Sequence, residues 1–402
     1  MAPPSFPAIM PPEKPADREL SAAMHRLYDL WTPTEDKGNP FHTNFKYTRL
    51  TGLEGVDDRS ISRRDPSKVL RIDGTYYVWY TCRRTKSPPV GPERADDATP
   101  STDWDLAEVW YATSKDGFHW TEQGRAVERP PQGEYGGRSN CTPDILVWGG
   151  KYYLYYQAYS KKIRAFDACD VTMAEADSPN GPWRAIGRPV VDQGESGAWD
   201  EACIHDPFPL VYQGRIWLYY KGQNHNRSLE ALVRAQGVAI ADHPAGPFEK
   251  PAINPLLNSG HETCLWPYEG GIAALLILDG AEKNTVQFAP DGLNFEMKSH
   301  VAVPPLAPGP FVPDAYADNG DGRGISWGLC HINPAAAGYA AHSMLARFDC
   351  DLSRDVDRPA FRHKYAMRFE PETYFKGALA LPDHLRTETG GTDRDTVMPN
   401  DA

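Results

Sequence analysis

No stretch of this 402-residue chain is apolar for long enough to cross a bilayer as a helix. Basic residues are in deficit: 42 Lys and Arg stand against 54 Asp and Glu, a formal charge of −12. Phosphate binding needs a basic field, so the composition argues against nucleic acid as a partner. It also disfavours a heavily sulfated polymer, unless a local basic pocket overrides the mean. The seven cysteines (Cys82, Cys141, Cys169, Cys203, Cys264, Cys330 and Cys350) show no paired, metal-type spacing. Odd in number and scattered, they read as reduced buried thiols rather than a disulfide framework. There is no glycine-rich phosphate loop, no His-Glu-x-x-His and no nucleophile elbow. No basic segment followed by an apolar core opens the chain, so no secretory signal is visible. A cytoplasmic location is expected, or a periplasmic one if a leader has been removed. Long helical periodicity is nearly absent outside one N-terminal segment.

What the chain has instead is repetition. Five times an acidic residue (Asp65, Asp144, Asp206, Glu262, Asp314) sits at or just before a short apolar strand. A glycine-containing turn follows: Asp73-Gly74, Gly149-Gly150, Gln213-Gly214, Gly270-Gly271 and Asp321-Gly322. Such pairs between apolar runs signal hairpins, because glycine tolerates the positive φ of tight turns. Then comes a second strand, aromatic-rich in most blocks: residues 75–80, 152–156, 216–220, 271–276 and 324–327. Four blocks continue into a third run (109–112, 171–174, 237–240, 285–288) and a polar turn with glycine and an aromatic. The fifth block is the weakest, with 344–348 as its third strand. At least three strands per unit and a period of roughly fifty to eighty residues fit blades of a β-propeller with long loops. The fold class expected is therefore all-β, a five-bladed β-propeller with a short N-terminal helical extension.

Residues 1–39 form the extension. Its Pro-rich part, residues 2–15, reads as disordered. Asp17 to Trp31 reads as a helix, with Leu20, Met24, Leu27, Tyr28 and Trp31 on one face and Asp17 or Ser21 as cap. Its apolar stripe must be buried, on its own propeller or on a second chain. The propeller spans 40–380, and 381–402 reads as a mobile tail.

Equivalent acids in successive blades converge on the propeller axis, and converging carboxylates are what glycoside hydrolysis uses. Asp65, opening its strand at Asp65-Pro66, is the first candidate; the plain alternative is a turn-capping aspartate. Asp206 and Glu262 follow, each directly preceded by a histidine, His205 and His261. Neighbours on a regular strand point to opposite faces. His261 and Glu262 therefore share a ligand only if the strand is irregular there, and Gly260 permits a bulge. Asp144 and Asp314 hold the same repeat position, with backbone bonding at the blade start as their expected role. Trp104-Asp105 lies in a long loop that could roof the funnel. Thr142, Gln157 and Trp266 fall near inner-strand ends, where sugar contact and inter-blade packing are equally open.

Several runs, in order, resemble glycoside hydrolase family 117: Asp65–Val69, Thr75–Thr81, Trp104–Thr113, Gly260–Pro267, Glu282–Gly292 and Asn319–Gly328. The resemblance extends from the N-terminal helix to about residue 380. It implies a five-bladed propeller that removes 3,6-anhydro-L-galactose from the non-reducing end of neoagaro-oligosaccharides, cleaving an α-1,3 bond with inversion. It implies Asp65 as general base and His261 as general acid, with Glu262 and Asp206 as the other functional carboxylates. Trp104, Thr142 and Gln157 match the sugar-binding residues of the family. A dimer through exchange of the N-terminal helices and a divalent cation near the site are also implied. The sequence itself requires no cofactor and assigns no cation ligands. One departure is that the second-blade motif, usually Thr-Pro-Glu, here reads Thr142-Pro143-Asp144.

On this reading Asp65 deprotonates a water and a protonated His261 protonates the leaving oxygen. A free histidine titrates near 6.5, so a carboxylate beside it, Glu262 or Asp206, is required. One alternative is another exo-glycosidase with a three-carboxylate site, Glu262 being the acid. Another is a non-catalytic sugar-binding propeller.

Overall fold

The computed structural model describes residues 5–29, 39–55, 58–163, 169–225, 234–313, 315–316, 322–333 and 342–354. Asp314, Trp31 and the segment 381–402 lie outside the described residues. After a helix, α1 (Ala22–Asp29), the first strand is β1 (Lys46–Arg49). The first blade follows, with β2 (Ile61–Arg64), β3 (Leu70–Ile72), β4 (Thr75–Arg84), β5 (Ala107–Ser114) and β6 (Trp120–Val127). The second has β7 (Ser139–Trp148), β8 (Lys151–Tyr159), β9 (Asp170–Ala176) and β10 (Arg184–Ala185). The third has three strands, β11 (Cys203–Tyr212), β12 (Arg215–Gln223) and β13 (Arg234–Ala241). The fourth has β14 (His261–Tyr268), β15 (Gly271–Ile277), β16 (Thr285–Ala289) and β17 (Glu296–His300). The fifth has β18 (Leu306–Pro310), β19 (Gly324–Ile332) and β20 (Met344–Ser353). All described strand pairs are antiparallel, and the five sheets are the five blades of a β-propeller.

The ring is closed by strand β1, which the repeat did not reveal. It pairs with β20, Tyr47 opposite Phe348, and so supplies the outer strand of the last blade from the start of the chain. Tyr47 is fully buried and its hydroxyl donates to Val303 O. On the inner side Val69 N of the first blade donates to Pro310 O of the fifth at 2.9 Å.

In the first four blades the hairpin turns form where they were read, with one shift; the fifth, Asp321-Gly322, includes Asp321, which lies outside the described residues. Asp73 and Gly74 both have positive φ, as do Gln213 and Gly214, the signature of a two-residue primed turn. In the fourth blade Tyr268 pairs with Gly271, so the turn is Glu269-Gly270 rather than Gly270-Gly271. Between blades the packing is aromatic and aliphatic, with Trp79, Trp120, Trp199, Trp266 and Trp327 all buried. All seven cysteines are buried and unpaired.

The N-terminal segment departs from expectation at two points. Residues 5–8 are ordered against the third blade: Ala8 N donates to Gly197 O, Trp199 N to Phe6 O, and Phe6 is buried. The helix starts at Ala22, not near Asp17, because Ser21 is its cap. Ser21 Oγ accepts from Met24 N and itself donates to Pro255 O. Leu20 and Met24 pack into the core shared with the second and third blades, and Arg26 reaches Glu282 at 2.7 Å.

Candidate active site

Each innermost strand breaks at one point. The register slips between Cys141 and Asp144, His205 and Phe208, His261 and Cys264, and Leu306 and Gly309. In the first blade the gap between β2 and β3 does the same. At each break one residue takes a left-handed conformation: Asp65 (φ 48°), Thr142 (49°), Asp206 (45°), Glu262 (52°) and Ala307 (44°). A side-chain-bearing residue rarely adopts this backbone, and its cost is tolerated where structure over-determines it. In four blades proline follows and cannot donate to the ladder, which fixes where the pairing is interrupted. The five dipeptides Asp65-Pro66, Thr142-Pro143, Asp206-Pro207, Glu262-Thr263 and Ala307-Pro308 line one small axial pit, with Asp144 and Phe208.

This ring corrects the repeat. The true equivalents of Asp65 are Thr142, Asp206, Glu262 and Ala307. Asp144 sits two residues past the second-blade position, where it accepts from Lys68 N at 2.8 Å and pairs with the buried Lys68 ammonium. The fifth-blade position is Ala307, not Asp314. The bulge also answers how His261 and Glu262 approach one region, since alternation is broken between them.

Asp65 is almost wholly buried and held from several sides. Arg64 Nε donates to its Oδ2 at 2.9 Å and Oδ1 at 3.1 Å. Thr81 and Thr142 hydroxyls donate to Oδ2 at 3.1 and 3.3 Å. Thr142 N in turn donates to Thr81 Oγ1, tying the second blade to this carboxylate. Burial pushes the Asp65 carboxyl up, but the Arg64 guanidinium reverses this and holds it below its ordinary value. Arg64 also reaches Glu262 Oε1 at 3.4 Å and Asp103 at 3.6 Å, and stacks 4.9 Å over Trp104. Trp104 thus backs the guanidinium, while its neighbour Asp105 is locked to Arg138 away from the pit. His331 Nδ1 accepts from Asp65 N at 3.4 Å; burial and then Arg64 keep its ring neutral.

Asp206 Oδ2 accepts from Lys221 Nζ at 2.8 Å and from Glu262 N at 3.1 Å, linking the third and fourth blades. Burial raises its carboxyl, and Lys221, followed by His261, overturns this to leave it well below the ordinary range. Gln157 is buried behind it and accepts from Asp206 N at 3.3 Å. Gln157 therefore positions Asp206 from the second layer of the site. Glu262 uses Oε1 for Arg64, and its Oε2 is buried without a hydrogen-bond partner. His261, 31% exposed at the rim, has Nε2 3.7 Å from Glu262 Oε1 and Nδ1 3.6 Å from Asp279 Oδ2. Trp266 does not join them. Past the bulge its strand runs on into the body of the blade, and Trp266 is fully buried in the hydrophobic core.

Arg64, His331, Lys221, Asp103 and Asp279 were not singled out from sequence. Lone charged residues on strands and in their connections give no signal until folding shows what they face. Asp65, Glu262 and His331 offer ligand atoms within 4.8 Å of one another, a mixed oxygen and nitrogen set. The Arg64 guanidinium already pairs with both carboxylates, and the imidazole Nδ1 takes a backbone N–H. A dication would have to displace that arginine, so these residues fit the guanidinium better than a metal.

Three buried, counter-charged carboxylates on the axis of a five-bladed propeller define the class: a propeller glycoside hydrolase. Residues 97–236 match the model of glycosyl hydrolases family 43. The structure is similar to Zg3597, a family 117 glycoside hydrolase from the marine bacterium Zobellia galactanivorans, with a TM-score of 0.77 and 48% identity over 85% of this chain and 100% of that one. It also shares its fold with a glycoside hydrolase at 13% identity (TM-score 0.53, 76% and 92% covered). The catalytic domain of a Coprinopsis cinerea family 62 α-L-arabinofuranosidase matches at 12% identity (TM-score 0.50, 78% and 98% covered). Among curated proteins none matches. The chain belongs to glycoside hydrolase family 117.

Proposed function

We propose that this glycoside hydrolase is exo-acting and inverting, and releases 3,6-anhydro-L-galactose from the non-reducing end of neoagaro-oligosaccharides. The observation that carries the hydrolytic part is the convergence of Asp65, Asp206 and Glu262 on one axial pit, with Asp65 and Glu262 sharing Arg64 and Asp206 paired with Lys221. The sugar rests on membership of family 117. Asp65, kept ionised by Arg64, takes a proton from a water as that water's oxygen bonds the anomeric carbon. His261 gives its proton to the glycosidic oxygen, which leaves with the electrons of the broken C–O bond. Inversion needs roughly 6.5–9.5 Å between the acid and base groups. Asp65 and Glu262 bring ligand atoms within 4.8 Å, too close for that pair, whereas His261 stands farther out at the rim. The second reading, with Glu262 as the acid of a three-carboxylate exo-glycosidase, is favoured by the unpartnered Glu262 Oε2.

The test is incubation with neoagarobiose and with carrageenan-derived disaccharides, followed by product analysis. Free 3,6-anhydro-L-galactose from neoagarobiose, with the inverted anomer formed first in a proton NMR time course, is the expected result. Release only from another disaccharide overturns the sugar, and no release from any of them overturns the reading.

We also propose a homodimer in which α1 is exchanged. The helix docks through discrete contacts (Ser21 to Pro255, Arg26 to Glu282, Ala22 to Asn294), which a second copy can supply as well as the same chain. No partner other than a small oligosaccharide is assigned: neither nucleic acid nor membrane. Among the described residues no helix is long and apolar enough to cross a membrane.

A further inference from the structure

His261 touches carboxylates through both ring nitrogens, and the two are not alike. Glu262, facing Nε2, lines the pit; Asp279, facing Nδ1, does not. Nε2 is therefore the nitrogen on the side of the pit, and Nδ1 is turned to the connection between β15 and β16. That connection is stiffly built. Leu278 (φ 62°) and Gly280 (φ 91°) flank Asp279 with left-handed backbone, and Asp279 N donates to Ile277 O. A Cβ on Gly280 would lie 2.3 Å from Asn258 O, so the loop is pressed against the chain before β14. Asp279 Oδ2 is gripped by Arg234 at 2.6 Å, and its Oδ1 is buried without a hydrogen-bond partner.

We infer that Asp279 is a positioning residue for His261: it accepts the Nδ1–H and so presents Nε2, with its transferable proton, to the glycosidic oxygen. The inference rests on His261 being the general acid of the proposed reaction. The physical logic is general. A carboxylate on one ring nitrogen fixes tautomer and orientation and stabilises the imidazolium, without itself taking the proton. Arg234 holds the carboxylate in place, and Glu262, Asp206, Lys221 and His205 complete the charged and titratable surroundings of the ring. In the reverse half of the cycle Nε2 regains its proton from solvent, to which the ring is open.

The test has two arms on the full chain. Long-range proton–nitrogen NMR, with the His261 signal assigned by its loss in His261→Gln, reads the tautomer directly. The neutral ring should carry its hydrogen on Nδ1 in the wild type and lose that preference in Asp279→Asn. An Nε2–H ring in the wild type overturns the inference whatever the substrate. In the kinetic arm, Asp279→Asn should lower kcat on neoagarobiose about 10- to 100-fold with KM nearly unchanged. The 4-nitrophenyl α-glycoside of 3,6-anhydro-L-galactose, which needs no acid, should be cleaved at close to the wild-type rate. Asp279→Glu should recover part of the loss. Equal loss on both substrates, or none on neoagarobiose, overturns the inference. If His261→Ala itself fails to separate the two substrates, the general-acid reading falls independently, and the NMR arm still decides the geometry. Thermal unfolding of each variant separates misfolding from mispositioning.

Discussion

At the residue scale the site consists of cations placed against buried acids. Arg64 serves three carboxylates and Lys221 a fourth. Removing the charge of Asp65 while keeping its shape should remove the base and leave the pit intact. Asp65→Asn is therefore expected to lose at least about 100-fold in kcat while still binding the sugar, measured by turnover and by calorimetry. Near-normal turnover sinks the assignment of the base. Linkage gives a second expectation. The folded carboxyls of Asp206 and Asp279 lie below the ordinary value of 3.8, that of Asp279 at about 2. Their contribution to stability is thus complete above about pH 4 and is lost as pH falls through the folded values. Denaturant unfolding should weaken between pH 4 and 2, and more shallowly in Asp279→Asn than in the wild type. An identical slope in the two proteins contradicts the pairing.

At the element scale the innermost strands matter most, because each is broken at one point. The break was partly legible: an acid at the mouth of a strand, followed by proline, in Asp65-Pro66 and Asp206-Pro207. Aligning the acids placed Asp144 and Asp314 at the same point. Aligning the residue-proline steps instead gives Thr142-Pro143 and Ala307-Pro308, which is what the backbone shows. Acidity was the wrong key, since the repeated feature is a conformation rather than a charge. The first and fifth blades meet at one such break. Gly309 lies so close that a Cβ there would stand 2.1 Å from Ser67 O and 2.4 Å from Pro66 O. Gly309→Ala should force backbone apart beside Asp65, at a cost of about 3 kcal/mol or more, with activity falling too. Urea unfolding and turnover check this; an unchanged midpoint contradicts the tight contact.

At the scale of the whole molecule, the first and last described strands jointly build the last blade, with β1 beside β20. The N-terminal segment then continues outward as a strap, with Phe6, Leu20 and Met24 inserted in the core. Deleting residues 1–38 leaves β1 in place and removes that strap. The truncated protein is expected to have the mass of one chain by light scattering where the full chain has that of two, and to melt at a lower temperature because the seats of those side chains are opened to water. A full chain that is already monomeric contradicts the exchange of α1.

By itself the sequence determined the number of blades, the hairpins of the first four, the reduced state of the cysteines and three of the acids at the pit. All of these follow from local periodicity, turn chemistry and residue type. Only the tertiary structure decided which residues share the ring, that Trp266 belongs to the core, that Lys221 and Arg64 neutralise the acids, and that Asp279 stands behind His261. Those facts depend on how strands and connections are brought face to face, within a blade for Lys221 and Asp206 and between blades for Arg64 and Glu262. Nothing in a strand's own alternation reports what the neighbouring blade places opposite it, and the left-handed steps that aim the site interrupt that alternation.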